Sequence, residues 1–122
     1  LVHSGWRGTV ENIVLNAIQL MEKNGTETGD IRCILGPAIG ICCYEVDGEV
    51  AKKFEDKVKV KMEDRKWRVG LQEKIRLQLA SVGVQKKNIR STEICTYDSL
   101  GYHSYRRDGE NAGRMFAFLR LK

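Results

Sequence analysis

TVENIVLNAIQLMEK, from Thr9 to Lys23, and IRCIL, from Ile31 to Leu35, set a helical period directly before a β-branched strand. In the first, the apolar residues Val10, Ile13, Val14, Ala17, Ile18 and Met21 stand at offsets 0, 3, 4, 7, 8 and 11, the stripe of a single helix face. Thr9 suits an N-cap, Glu11 a first turn and Asn24-Gly25 a stop. The second stretch is short, β-branched and bounded by Gly29-Asp30 and Gly36-Pro37, which predicts a buried strand.

The rest of the chain continues this alternation. Gly36 to Tyr44 is broken by Gly-Pro and a further Gly and reads as a loop. Val46, Val50 and Phe54, four apart, predict a short helix running to Lys57. Val58-Lys59-Val60-Lys61-Met62 alternates as an edge strand does, with its lysines in water. Leu71, Ile75, Leu79 and Val82 predict a third helix, ended by Gly83. Strands are expected at Ile89 to Glu93 and Met115 to Leu121, and Leu1-Val2 reads as the end of a strand feeding the first helix. The expected class is α/β (α+β), with mixed sheets covered by helices. No linker or shift in composition divides residues 1–122, so a single domain is expected.

Composition narrows the field. At 42% hydrophobic and 30% charged the 122 residues can build a core, and no apolar run approaches the roughly 18 to 20 residues of a membrane span. No leader pattern is visible, so a cytoplasmic protein is expected, and an opening at Leu1-Val2 in mid-element reads as part of something longer. The net charge is +5, but basic clusters such as Lys52-Lys53 and Lys57 to Lys61 are interleaved with Glu55-Asp56 and Glu63-Asp64. That is a solvated face, and it argues against nucleic acid and for a small anionic ligand met by a few arginines. Four cysteines, Cys33, Cys42, Cys43 and Cys95, form no CxxC pair and read as reduced thiols.

Three polar, Gly-rich and aromatic segments sit at expected element ends, where sites on α/β scaffolds collect: His3 to Gly8, Gly36 to Tyr44, and Tyr102 to Gly109. His3 reads as a metal ligand, a general base or a histidine satisfied at a helix start. Arg7, near a helix N-terminus, can add charge for an anion or serve in a surface ion pair. Trp6 reads first as packing. Cys42 or Cys43 can be a nucleophile if a base lies near, or a small buried apolar side chain. Arg106-Arg107 offers a fork for phosphate or carboxylate, which Asp108 can instead neutralise. His103, among aromatics, reads as structural.

Together, His3-Ser4-Gly5-Trp6-Arg7-Gly8, Gly36-Pro37-Ala38-Ile39-Gly40 with Cys42-Cys43-Tyr44-Glu45-Val46, and Ser104-Tyr105-Arg106-Arg107-Asp108-Gly109 with Gly113-Arg114-Met115 resemble the YfiH family, also called the multicopper polyphenol oxidase or laccase-domain family. Ile41, Gly70 and Ser4 depart from the commonest residues of that pattern. The resemblance implies a four-layer α/β/β/α fold in a chain about twice this length, of which residues 1–122 would be the C-terminal half. It implies zinc or copper, with His3 as one ligand and a further His and Cys upstream. It implies purine nucleoside and phosphate as substrates, with phosphorolysis of adenosine, inosine and methylthioadenosine, and adenosine deamination. It also implies Arg7, Cys43, Tyr44, Arg106 and Arg107 as residues that bind substrate or phosphate. Rival readings are a copper-dependent polyphenol oxidase, a cysteine hydrolase using Cys42 or Cys43 with His3, and a structural fragment without activity.

Overall fold

The computed structural model describes residues 1–120. Its elements are α1 (Trp6–Val10), α2 (Ile13–Lys23), β1 (Cys33–Leu35), β2 (Glu45–Val46), α3 (Gly48–Ala51), β3 (Lys59–Lys61), β4 (Trp67–Val69), α4 (Leu71–Ser81), β5 (Ile89–Ser91) and α5 (Tyr105–Asp108). Strands β1 and β5 pair in parallel with Cys33 opposite Ile89, while β2, β4 and β3 form an antiparallel sheet in that order. The class is therefore mixed α/β, as the sequence predicts. No helix of the described residues is long and apolar enough to cross a membrane.

The first helix is two helices. Asn12 has φ 58°, in the left-handed region that Asn tolerates better than most residues, and it turns the chain between α1 and α2. Thr9 lies inside α1 rather than capping it, with its hydroxyl donating to the Gly5 carbonyl at 2.9 Å. The break is held from outside: Gln78 of α4 donates its Nε2 to the Thr9 carbonyl and to Asn12 Oδ1, both at 2.7 Å. A helical stripe in sequence carries no trace of that partner.

The edge strand is also rearranged. Val60 is exposed, whereas the Lys59 side chain is largely covered. Its stem leads along Trp67, with Nζ 5.3 Å from the ring centroid, and the ammonium donates to the Phe54 and Ala51 carbonyls at 2.6 and 3.2 Å. Carbonyls left over where α3 ends thus draw the lysine inward. Strand β4, absent from the sequence reading, follows a tight hairpin in which Asp64 and Arg65 have φ 55° and 60°. Two positive φ values at central turn positions are the mark of a type I′ turn, which the sequence conceals by lacking Asn-Gly.

Over the described residues 115–120, the strand expected at Met115 to Leu121 is not formed. Residues 112–120 carry no ladder, and Phe116 and Phe118 project into solvent with ring centroids 6.4 Å apart. Leu121 lies outside the described residues. Leu1-Val2 is likewise outside any strand. Alternation alone makes no strand, because the backbone groups need a neighbouring strand, and none lies beside either segment among the described residues.

Two apolar clusters form the core. Tyr44, Val46, Ala51, Phe54, Val58, Val69 and Leu71 make one, against which Trp6 and Trp67 pack. Ile18, Ile31, Leu35, Ile75, Leu79 and Val84 make the other. Helix α4 links them, with Leu71 in the first and Ile75 and Leu79 in the second. The polar Gly36 to Tyr44 loop runs from β1 of the parallel pair to β2 of the antiparallel sheet, while the other two polar segments lead into α1 and form α5.

Candidate active site

Tyr44 anchors the first cluster of functional side chains. It is buried at the end of the Gly36 to Tyr44 loop, its N–H donating to the Gly40 carbonyl at 2.9 Å. From α5, Arg106 lays its guanidinium carbon 4.8 Å from the centroid of the Tyr44 ring and donates to the Glu45 carbonyl. From α1, Arg7 stacks on Trp6 at 4.5 Å. Burial pushes the Tyr44 hydroxyl above its usual pKa, and the charges of Arg106 and Arg7 pull it back. Arg106 is thus stacked on the phenol, and Arg7, on Trp6 against the same apolar cluster, acts on it through its charge.

Arg107, one residue on, faces a different task. Its Nη1 donates to the carbonyls of Thr96 at 2.9 Å and Tyr97 at 3.1 Å, and its Nη2 to that of Tyr102 at 2.9 Å. Asp108 closes the fork with two bonds of 2.8 Å, and Arg107 in turn holds the Asp108 carboxyl below the usual carboxylate range. The loop from Thr96 to Tyr102 is therefore folded around one guanidinium. Ser104 caps α5 by accepting from the Arg107 N–H. His103 lies across Gly113, where an added Cβ would come within 2.5 Å of the imidazole.

His3 is exposed, ahead of α1, with Nε2 3.6 Å from the position a Cβ on Gly5 would take. Its imidazole is open to an external ligand and belongs to neither apolar cluster.

A second grouping was hidden in the sequence. The sulfurs of Cys42, Cys43 and Cys95 all lie within 4.8 Å of one another, an arrangement able to hold a metal ion. All the cysteines are free thiols. Burial, with hydrogen bonds that the Cys43 thiol donates to the neighbouring sulfurs of Cys42 and Cys95, pushes it up to about 12. Burial also opposes ionisation of Cys95, but the N–H groups of Gly40, Asp98 and Tyr97 and the Cys42 thiol outweigh it and bring that thiol down to about 7. In the sequence Cys95 stands far from the Cys42-Cys43 pair; the parallel bridge between Ala38 and Cys95 brings them together. No histidine joins the three sulfurs at that spacing among the described residues, so the cluster itself supplies no general base for a cysteine nucleophile.

Comparison with known proteins places this arrangement in context. A family model described as multi-copper polyphenol oxidoreductase laccase matches residues 1–122. A purine nucleoside phosphorylase of Clostridium acetobutylicum is 38% identical over an alignment of 123 positions that covers 97% of this chain and 51% of that protein. Adenosine deaminase RL5, from an unknown prokaryotic organism, is 32% identical over an alignment of 123 positions that covers 93% of this chain and 47% of that protein. The crystal structure of YlmD from Geobacillus stearothermophilus superposes with a TM-score of 0.83 at 31% identity, covering 92% of this chain and 45% of that one. The chain spans about half the length of the curated relatives it matches.

Proposed function

The chain belongs to the multi-copper polyphenol oxidoreductase laccase family, and from that membership we propose that it supplies the C-terminal half of a metal-dependent purine nucleoside phosphorylase of the cytoplasm. The observation that carries this reading is Arg106 stacked on the buried Tyr44, with Arg7 held on Trp6 against the same apolar cluster and its charge acting on that phenol. Two guanidinium groups held by aromatic faces, beside a buried phenol, suit a tetrahedral oxyanion such as phosphate. Names of relatives supply the substrate class: purine nucleosides for one, adenosine for another.

In phosphorolysis a phosphate oxygen bonds to the anomeric carbon of the ribose while the bond from that carbon to the purine nitrogen breaks. The base leaves with the electron pair and takes up a proton. Arg106 and Arg7 hold the phosphate and offset its charge as it approaches. Tyr44, kept protonated by burial, offers a hydroxyl donor to the same oxygens. Arg107 and Asp108 keep the neighbouring loop in place.

The family's metal fits this chain through His3, an exposed imidazole of the right chemistry for zinc or copper. One imidazole is not a site, and the remaining ligands, a His and a Cys, are assigned to sequence upstream of residue 1. When bound, zinc or copper supplies Lewis-acid polarisation and water activation, which is what deamination of adenosine requires. Copper-dependent oxidation of phenols is a second reading, favoured by the family's description.

The test is release of free purine and ribose 1-phosphate from inosine and adenosine by the full-length protein. Base release that depends on phosphate and weakens in Arg106→Ala supports the reading. Phenol oxidation without phosphate-dependent base release would replace it with the oxidase.

A further inference from the structure

Phosphate binding by Arg7 and Arg106 leaves the three clustered thiols without a role. We propose that Cys42, Cys43 and Cys95 form a metal site for one thiophilic ion, taking Cu(I) in preference to Zn(II).

The geometry fits an ion with little movement. Three thiolates at about 2.3 Å from a common metal stand about 3.8 to 4.0 Å apart, and the three sulfurs here already lie within 4.8 Å of one another. They are set by main chain rather than by chance packing. The Thr96 N–H donates to the Ala38 carbonyl at 3.0 Å and the Ala38 N–H to that of Ile94 at 3.3 Å, so the Cys95 loop is stitched to the Gly36 to Tyr44 loop. The Cys43 N–H donates to the Gly40 carbonyl at 3.0 Å, which turns the two adjacent cysteines over the bridge.

Gly40 is the support of the site. Its N–H points to Cys95 Sγ at 3.3 Å, the kind of bond that steadies a metal-bound thiolate. A Cβ there would come within 3.1 Å of Cys42 Sγ and 3.6 Å of Cys95 Sγ. The missing side chain is what lets the sulfurs converge. Cys42 is exposed and gives the ion a way in.

The donor set chooses the metal. Three soft sulfurs, with no fourth His, Cys, Asp or Glu at that spacing among the described residues, satisfy Cu(I) in a three-coordinate site. Structural Zn(II) takes four protein ligands.

The test titrates the reduced, metal-free full-length protein carrying His3→Ala, which disables the histidine site, with Cu(I) held by bathocuproine disulfonate, and separately with Zn(II). The expected result is near-UV absorption from thiolate to Cu(I) that saturates at one ion. Cys95→Ser should weaken that binding by more than about 100-fold and Gly40→Ala by about 10- to 100-fold. Cys33→Ser should leave it unchanged. In the unmutated protein Cu(I) should shield Cys42, Cys43 and Cys95 from maleimide and leave Cys33 unshielded, a readout independent of variant folding. Equal Cu(I) uptake by Cys95→Ser, tighter Zn(II) than Cu(I), or no selective shielding would overturn the proposal. Because His3→Ala tests the nucleoside reading without touching the thiols, either conclusion can fail while the other stands.

Discussion

The guanidinium of Arg106 lies over the ring of Tyr44, its carbon 4.8 Å from the centroid, and joins a helix near the end of the chain to a loop near its middle. The contact matters because the same phenol feels Arg7, from the other side of the sequence. Phosphate affinity should therefore depend on Arg106 more than stability does. Arg106→Ala is expected to raise KM for phosphate about 10- to 100-fold, the range of a lost charge-assisted hydrogen bond, with a smaller change in KM for nucleoside. Steady-state kinetics with phosphate as the varied substrate checks this. Arg106→Lys should recover only part of the loss, since an ammonium cannot form the planar fork.

Much of this frame was legible in the sequence, and the failures have a common cause. The stripe of α4 from Leu71 to Leu79 and the stop at Gly83 are local signals and correspond to what is seen, whereas the strand predicted as buried over Ile31 to Leu35 forms only from Cys33 to Leu35 and leaves Ile34 in water. Asn12, Lys59 and Cys95 are placed by partners distant in sequence: Gln78, the carbonyls of Ala51 and Phe54, and Ala38. No periodicity reports such partners. Cys95 was legible only as a lone cysteine after a strand, so the thiol cluster escaped a reading that saw the Cys42-Cys43 pair.

Leu79 is completely buried in the second apolar cluster. Leu79→Ala should cost about 3 kcal/mol, within the usual range for a large-to-small core change. Ile34→Ala, at a side chain left mostly in water, should change stability by less than about 0.5 kcal/mol. Urea unfolding of the two variants compares them directly.

Asp108 gives a pH dependence whose sign follows from its partner. Arg107 lowers the Asp108 carboxyl below its ordinary 3.8, so its contribution to stability is present above that value and is lost as pH falls through the depressed one. An NMR titration should find the Asp108 carboxyl ionising below 3.8. In Arg107→Met it should return upward, and amides from Thr96 to Tyr102 should exchange faster because their carbonyls have lost the guanidinium.

Gln78→Leu should remove the two bonds that hold the break between α1 and α2. The expected loss is about 1 to 3 kcal/mol, since the Thr9 carbonyl stays buried without that donor. Hydrogen exchange at Ile13 to Asn16 should rise with it, whereas the β2-β4-β3 sheet should keep its protection.

The assignment of His3 to the catalytic metal is tested most directly by measuring metal content and phosphate-dependent release of purine from inosine on the same preparation of full-length His3→Ala. The account predicts that zinc or copper at the histidine site and phosphorolysis fall together, by about 10-fold or more, with the fold and the Cu(I) uptake of the thiols intact. Full phosphorolysis in His3→Ala, with unchanged metal, would contradict it.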